Sequence, residues 1–418
     1  MPHPISEIRF PAVERSRLSN GVPVFIINAG SQEVLRFELI YDAGRRHEMK
    51  RGIAQATAKL LLEGTSKKSA QQIAEETDYF GATLGAEAAV DCSILSLTCL
   101  TRHAEPLFEL LRHVTSDSVF PEKELHTYVQ NSKQRLQVNL EKVDFLAQKN
   151  FAERMYGAGH PAGYTTTEND FDSLNTDALK KFCAHSYQPA NLKILLSGKI
   201  TDEVVRLLEK NFGGSPGTAG SSMPADSLTI PEAGQLVFTE RKDAVQSAIR
   251  MGKRIVTRRH PDYPALKVLN TVLGGYFGSR LMSNLREEKG YCYGVHSGIA
   301  SFLQEAHFFI ATEVGCQFTS SALDEMNKEL NRLRTEWIPA DELQLVRNYL
   351  LGSYLSDVDG PFNAAEILRS LIINDLDEDF FYRQVETTRN ATSEILQQLA
   401  MKYFDPGEMF SVVVGKMN

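Results

Sequence analysis

Residues 52–65 of the 418-residue chain read Gly52-Ile53-Ala54-Gln55-Ala56-Thr57-Ala58-Lys59-Leu60-Leu61-Leu62-Glu63-Gly64-Thr65. The stretch reads as a helix from Gly52 to Leu62. Positions four apart share a helix face, so Gln55 and Lys59 lie together, with Ala58 next to Lys59. The side chains of Gln55, Ala58 and Lys59 are an amide, a methyl group and an ammonium.

Outward from this helix the signals alternate. Val22 to Asn28 and Val34 to Tyr41, rich in β-branched and aromatic residues after Gly21, read as a strand pair. Ser69 to Phe80 reads as a helix with Ser69 as N-cap and Ile73, Thr77 and Phe80 at helical spacing. Ala86 to Leu100 returns to strand character. Phe120 to Met155 is mostly helical, opened by Pro121 at a first-turn position. Strands interleaved with helices predict a mixed sheet with helices packed on it.

The pattern occurs twice. Tyr187-Gln188-Pro189 precedes the apolar run Leu192–Leu196 and Gly198-Lys199. Tyr403-Phe404-Asp405-Pro406 precedes Phe410–Val414 and Gly415-Lys416. Each proline stands nine residues before its glycine. Phe120-Pro121-Glu122 recurs as Ile338-Pro339-Ala340, so the two matches are offset by 217 and 218 residues. Two matches at nearly one offset point to a duplicated domain and not to a short-period repeat. The Gly/Ser/Pro-rich stretch from Gly213 to Asp226 reads as the linker. The expected division is an N-terminal domain 1–212, a linker 213–231 and a C-terminal domain 232–418.

Composition excludes several classes. Hydrophobic residues make up 42% and charged residues 23%, the balance of a globular protein. A formal charge of −8 argues against nucleic-acid binding and against adhesion to anionic membranes. No stretch approaches the ~20 apolar residues of a membrane span, and the polar Met1–Asn20 carries no apolar signal region. A cytoplasmic location is the expectation. Cys92, Cys99, Cys183, Cys292 and Cys316 are odd in number and lack Cys-x-x-Cys spacing, which favours reduced thiols.

The 52–65 stretch resembles the zinc-site helix of the pitrilysin/insulinase metallopeptidases, the inverzincins. Their pattern runs roughly Gly-Leu-Ala-His-x-x-Glu-His-Met-x-Phe-x-Gly-Thr. In that register Gln55 replaces the first His, Ala58 the catalytic Glu and Lys59 the second His. The flanks carry the resemblance further. Leu18-Ser19-Asn20-Gly21, Ala43-Gly44-Arg45, His160-Pro161-Ala162-Gly163 and Tyr187-Gln188-Pro189-Ala190-Asn191 each match a family segment. The family's third ligand is a Glu about 75 residues downstream, and Thr127 to Leu140 here contains no Asp or Glu. The ten histidines include no His-x-x-x-His pair. The resemblance therefore implies no metal in this chain.

Residues 278–295, Gly278-Ser279-Arg280-Leu281-Met282 through Leu285-Arg286-Glu287-Glu288-Lys289-Gly290-Tyr291-Cys292-Tyr293-Gly294-Val295, resemble the family's Ser-Arg-Leu…Leu-Arg-Glu…Tyr-x-Val segment. There an Arg and a Tyr from the half opposite the zinc hold the bound peptide. By position these are Arg286 and Tyr293. Spacing alone favours an Arg286 pair with Glu287 or Glu288 and Tyr293 as strand packing, and the resemblance of the surrounding segment reverses that preference. The Gly274-Gly275 and Gly278 glycines lack the Gly-Lys-Ser/Thr ending of a phosphate loop. The long glycine-rich loop typical of the mitochondrial processing peptidase alpha subunit is absent.

The resemblance implies an α+β fold of two homologous domains, each a mixed, mostly antiparallel sheet with helices, forming half of a clam-shaped dimer. It implies a catalytically incomplete subunit of a heterodimeric zinc metalloendopeptidase, with a homologous partner that carries an intact motif and its zinc, and a peptide as substrate. Two alternatives share the fold: a non-enzymatic scaffold like the bc1 core subunits, and a peptide-binding homodimer formed by the chain alone.

Overall fold

The computed structural model describes residues 7–214 and 234–417, so nearly all of the expected linker 213–231 lies outside the described residues. In chain order the first half runs β1 (Glu14–Arg17), β2 (Pro23–Asn28), β3 (Val34–Tyr41), α1 (Ile53–Leu60), α2 (Ala70–Tyr79), β4 (Thr83–Ala88), β5 (Ser93–Leu100), α3 (Ala104–Ser116), α4 (Glu122–Leu140), α5 (Val143–Tyr156), α6 (Glu168–Asp172), α7 (Thr176–Ser186), β6 (Leu192–Gly198) and α8 (Asp202–Phe212). The second runs β7 (Leu236–Glu240), β8 (Gln246–Ile255), α9 (Tyr263–Gly274), a π-helical turn (Met282–Glu288), β9 (Cys292–Ser301), β10 (Ala306–Gly315), α10 (Thr319–Thr335), α11 (Ala340–Asp357), α12 (Gly360–Ile373), α13 (Glu378–Asn390), α14 (Ser393–Tyr403) and β11 (Phe410–Gly415).

The two sheets repeat one topology. The first is ordered β1-β2-β6-β3-β5-β4 and the second β7-β11-β8-β10-β9. In each, the last strand of the half inserts parallel to the first long strand and antiparallel to the next. The paired prolines mark the same places in both halves. Pro121 and Pro339 cap α4 and α11, and Pro189 and Pro406 open the 3-10 turns that lead into β6 and β11.

Several local expectations shift. β2 and β3 are not paired, because β6 lies between them. The strand expected from Ala86 to Leu100 is a hairpin, β4 and β5. The long helix breaks into α4 and α5 at Glu141 and Lys142, and Pro121 stands at the N-cap, one place ahead of the first turn. Ser69 does cap α2, in a reciprocal box with Gln72.

Each sheet is covered on both faces, and each half supplies a helix to the other. On the first sheet, Leu39 and Ile194 face the core of their own half, while Ile40 and Leu195 join a cluster with Ala364, Ala365, Leu368 and Ile372 of α12. On the second, Val412 and Val414 pack with Ala147, Phe151 and Met155 of α5. α5 and α12 occupy equivalent places in the duplication, so the exchange is reciprocal. Polar contacts accompany it: Glu38, only 1% exposed on β3, pairs with Arg369 of α12.

A buried ion cluster also joins the halves. Arg46 Nε lies 3.0 Å from Asp91 and its Nη2 2.7 Å from Glu305, in the β9–β10 turn. His160 Nε2 stands 3.3 Å from the same Glu305. The Leu303 amide donates to Asp91 at 2.9 Å. The ring of His160 stacks on Tyr156, and a Cβ at Gly163 would fall 2.1 Å from the Gly157 carbonyl oxygen. The His160-Pro161-x-Gly163 motif is thus part of the joint between the halves. Burial opposes ionisation of Glu305, yet hydrogen bonds from His160 and Arg46 prevail and hold its carboxyl at about 2.

Candidate functional site

The residues at the motif positions sit on a firmly held helix. Gly52 enters α1 with φ +82°, a left-handed conformation that favours glycine, and a Cβ there would lie 3.0 Å from Thr166. No side chain of the N-cap residue closes the helix. Instead the Glu48 carboxylate accepts from the amides of Ala54 (2.9 Å) and Gly52 (3.3 Å), an anion at a helix N-terminus. The Tyr164 hydroxyl also donates to Glu48. Burial pushes the Glu48 carboxyl up, against the pull of those donors.

Ile53, Ala54, Ala56, Thr57, Ala58 and Leu60 of α1 are all buried. Gln55 is half-buried and Lys59 is exposed. These two line a cavity of about 610 Å³ together with residues of α4 (Tyr128, Ser132, Arg135), α5 (Gln148, Lys149), β4 (Glu87) and the turns around Arg45 and Tyr164. Ala58 is fully buried and does not line it.

The donor set does not fit zinc. The helix offers the cavity one amide and one ammonium, and the α4 side chains that line it include no carboxylate. Among the described residues no group of three His, Cys, Asp or Glu is arranged to hold a metal ion. No catalytic step at a metal in this chain follows from such a set.

Neither Arg286 nor Tyr293 lines this cavity. Arg286 sits in the Met282–Glu288 π-helical turn, half-buried, with its guanidinium carbon 4.7 Å from the centroid of the exposed Phe277 ring. It makes no ion pair with Glu287 or Glu288. Tyr293 lies on β9, the edge strand of the second sheet, and is 89% exposed. It lines a groove of about 520 Å³ with Arg250, His296 and Glu313. Strand packing therefore does not account for Tyr293, and among the described residues no carboxylate pairs with Arg286. The structure does not bring Gln55 and Lys59 together with Arg286 and Tyr293 in one cavity. α5 contributes to both, Asp144 to the groove and Lys149 to the cavity.

Two residues to which the sequence reading gave no role hold the π-helical segment. Arg280 clamps Glu342 of α11 through two bonds, 2.8 and 2.9 Å. Asn284 donates to Glu325 at 2.9 Å and Glu329 at 2.8 Å on α10. The Ser279-Arg280-Leu281 match was the available signal for the first. Nothing local in the sequence marks the second.

Comparison with known proteins bears on the family and the fold. The family model described as insulinase (peptidase family M16) matches residues 24–166, and that described as peptidase M16 inactive domain matches residues 173–350. The chain belongs to peptidase family M16. A relative in Bacillus subtilis, the uncharacterized zinc protease YmxG, is 26% identical over 347 residues, covering 82% of this chain and 84% of that one. The non-peptidase homolog YmxG of Helicobacter pylori is 23% identical over 309 residues, 72% of this chain and 70% of that one. The crystal structure of a peptidase M16 inactive domain from Pseudomonas fluorescens superposes with a TM-score of 0.89 at 22% identity, over 97% of this chain and 98% of that one. Over 97% of the chain the fold is that of this M16 relative. No helix among the described residues is long and apolar enough to cross a membrane.

Proposed function

We propose that this M16 chain is the non-zinc subunit of a heterodimeric peptidase, made of the two domains 1–212 and 232–418, and that it supplies Arg286 and Tyr293 to the zinc site of a homologous partner. The observation that carries the reading is the state of that pair. A tyrosine 89% exposed on an edge strand lines an open groove, and an arginine that pairs with no carboxylate among the described residues lies over the exposed Phe277 ring, while the matched motif positions of this chain carry Gln55, Ala58 and Lys59.

The chemistry follows from the donors. The partner's metal would polarise the scissile carbonyl and its water. The guanidinium of Arg286 and the phenol of Tyr293 would donate hydrogen bonds to carbonyl oxygens of the extended peptide, where negative charge develops. Neither group needs to titrate. One such donor is worth about 3 kcal/mol of barrier, or roughly a hundredfold in rate.

In the active pair, Arg286→Ala and Tyr293→Phe should each lower kcat by ten- to a hundredfold while the subunits still co-elute. Unchanged turnover in both variants would remove them from the site. A scaffold without chamber binding is the competing reading, and saturable peptide binding by the complex separates the two.

A further inference from the structure

The cavity at the emptied metal position is not neutral. Four cationic side chains from four separate elements line it: Arg45 on the 3-10 turn Arg45–His47, Lys59 on α1, Arg135 on α4 and Lys149 on α5. Glu87 on the edge strand β4 is the one carboxylate among the residues lining it. Lys149 is shared with Glu153 at 3.4 Å, and Arg45 lies 5.3 Å from the centroid of the ring of Tyr164, whose hydroxyl donates to the half-buried Glu48. Lys59 and Arg135 make no ion pair or hydrogen bond with any described residue. Gathering like charges around one cavity costs free energy through mutual repulsion, which a bound anion relieves.

We propose that this cavity binds acidic peptide segments, with Lys59 and Arg135 as the principal contacts for their carboxylates. The loss of the metal-binding residues thus leaves a site of opposite preference, one that repels a dication and attracts carboxylates. Size selects a peptide over a small anion. About 610 Å³ exceeds what a single carboxylate or phosphate fills, and cations on four elements are best met by several carboxylates on one chain. Phe145 and Phe171 offer apolar wall for the methylenes between them. The inference rests on side chains of this chain alone and needs no partner.

The test uses the full chain and a fluorescein-labelled octapeptide rich in Glu and Asp, followed by anisotropy, beside a Gly/Ser peptide and a Lys-rich one. The expected result is saturable binding of the acidic peptide alone, weakened as salt rises from roughly 50 to 300 mM. Lys59→Glu and Arg135→Glu should each weaken it at least about tenfold, and the milder Lys59→Gln about tenfold, the scale of a lost charged hydrogen bond. Lys123→Glu, a reversal at an 88% exposed position on α4 outside the cavity, should leave it unchanged. Circular dichroism confirms the fold of each variant. Equal binding of all three peptides would overturn the proposal, as would cavity variants no weaker than Lys123→Glu. Displacement by citrate or inorganic phosphate at the peptide's own concentration would also overturn it, by revealing a small-anion site.

Discussion

Replacing Arg46 with alanine should loosen the joint between the two halves. Arg46 is 11% exposed and faces Asp91 and Glu305, 10% and 8% exposed, at 3.0 and 2.7 Å. At an effective dielectric of about 20, one contact at that range is worth roughly 6 kcal/mol before desolvation. The carboxyl of Glu305 offers a second gauge. It drops from 4.5 to about 2 through His160 and Arg46 despite its burial. That corresponds to about 3 kcal/mol, or about 2 kcal/mol once solvent screening is allowed for. Arg46→Ala also strands two carboxylates side by side, so a loss of about 3 kcal/mol is expected. Urea unfolding followed by circular dichroism measures it, and a single transition should broaden or divide as the halves uncouple. The double variant Arg46→Met/Glu305→Met should recover at least half of the loss, because no lone charge then remains between those two positions. A loss under 1 kcal/mol, or a double variant as weak as the sum of the singles, would refute the reasoning. The Glu305 contribution is complete above pH 4.5 and disappears as pH falls towards 2, since the folded carboxyl is the stronger acid.

His307, which shares a 2.7 Å hydrogen bond with Tyr156, is driven from 6.5 to about 4, first by burial and then by Arg250. The folded state resists its protonation, so stability should be complete above pH 6.5 and fall between 6.5 and 4; thermal melts of His307→Phe should lose that slope. Gln55→His/Lys59→His restores two imidazoles on one helix face. It should still retain well under one equivalent of zinc after gel filtration, because no carboxylate from Thr127–Leu140 completes the set and Arg45 and Arg135 repel the ion. One full equivalent retained would show the site to be more forgiving than its charge implies.

Much of this was legible because the duplication leaves local marks. Pro121 and Pro339 cap equivalent helices, and Pro189 and Pro406 precede equivalent strands, since proline is tolerated at few backbone positions. The side-chain chemistry at Gln55, Ala58 and Lys59 was legible for a simpler reason: it depends on residue type alone. Long-range pairing was not. β6 separates β2 from β3 although more than 150 residues intervene in the chain. The exchange of α5 and α12 was also hidden, because an apolar helix face does not say which sheet it will cover. The same limit concealed the Arg46–Glu305 contact, 259 residues apart, and the convergence of Arg45, Arg135 and Lys149 on the cavity beside Lys59. The pairing of Arg286 with a neighbouring Glu was a reasonable reading of spacing, but the π-helical turn sets the guanidinium over Phe277 instead.

The central claim is that catalysis is divided between two chains. Metal analysis and peptide cleavage should be measured on this chain alone and after mixing with a homologous M16 subunit that carries an intact His-x-x-Glu-His. The expected result is no stoichiometric zinc and no cleavage from the chain alone, with one zinc per pair and cleavage on mixing. A zinc-loaded chain that cleaves peptides unaided would contradict the claim, as would a mixture no more active than the zinc-bearing subunit by itself.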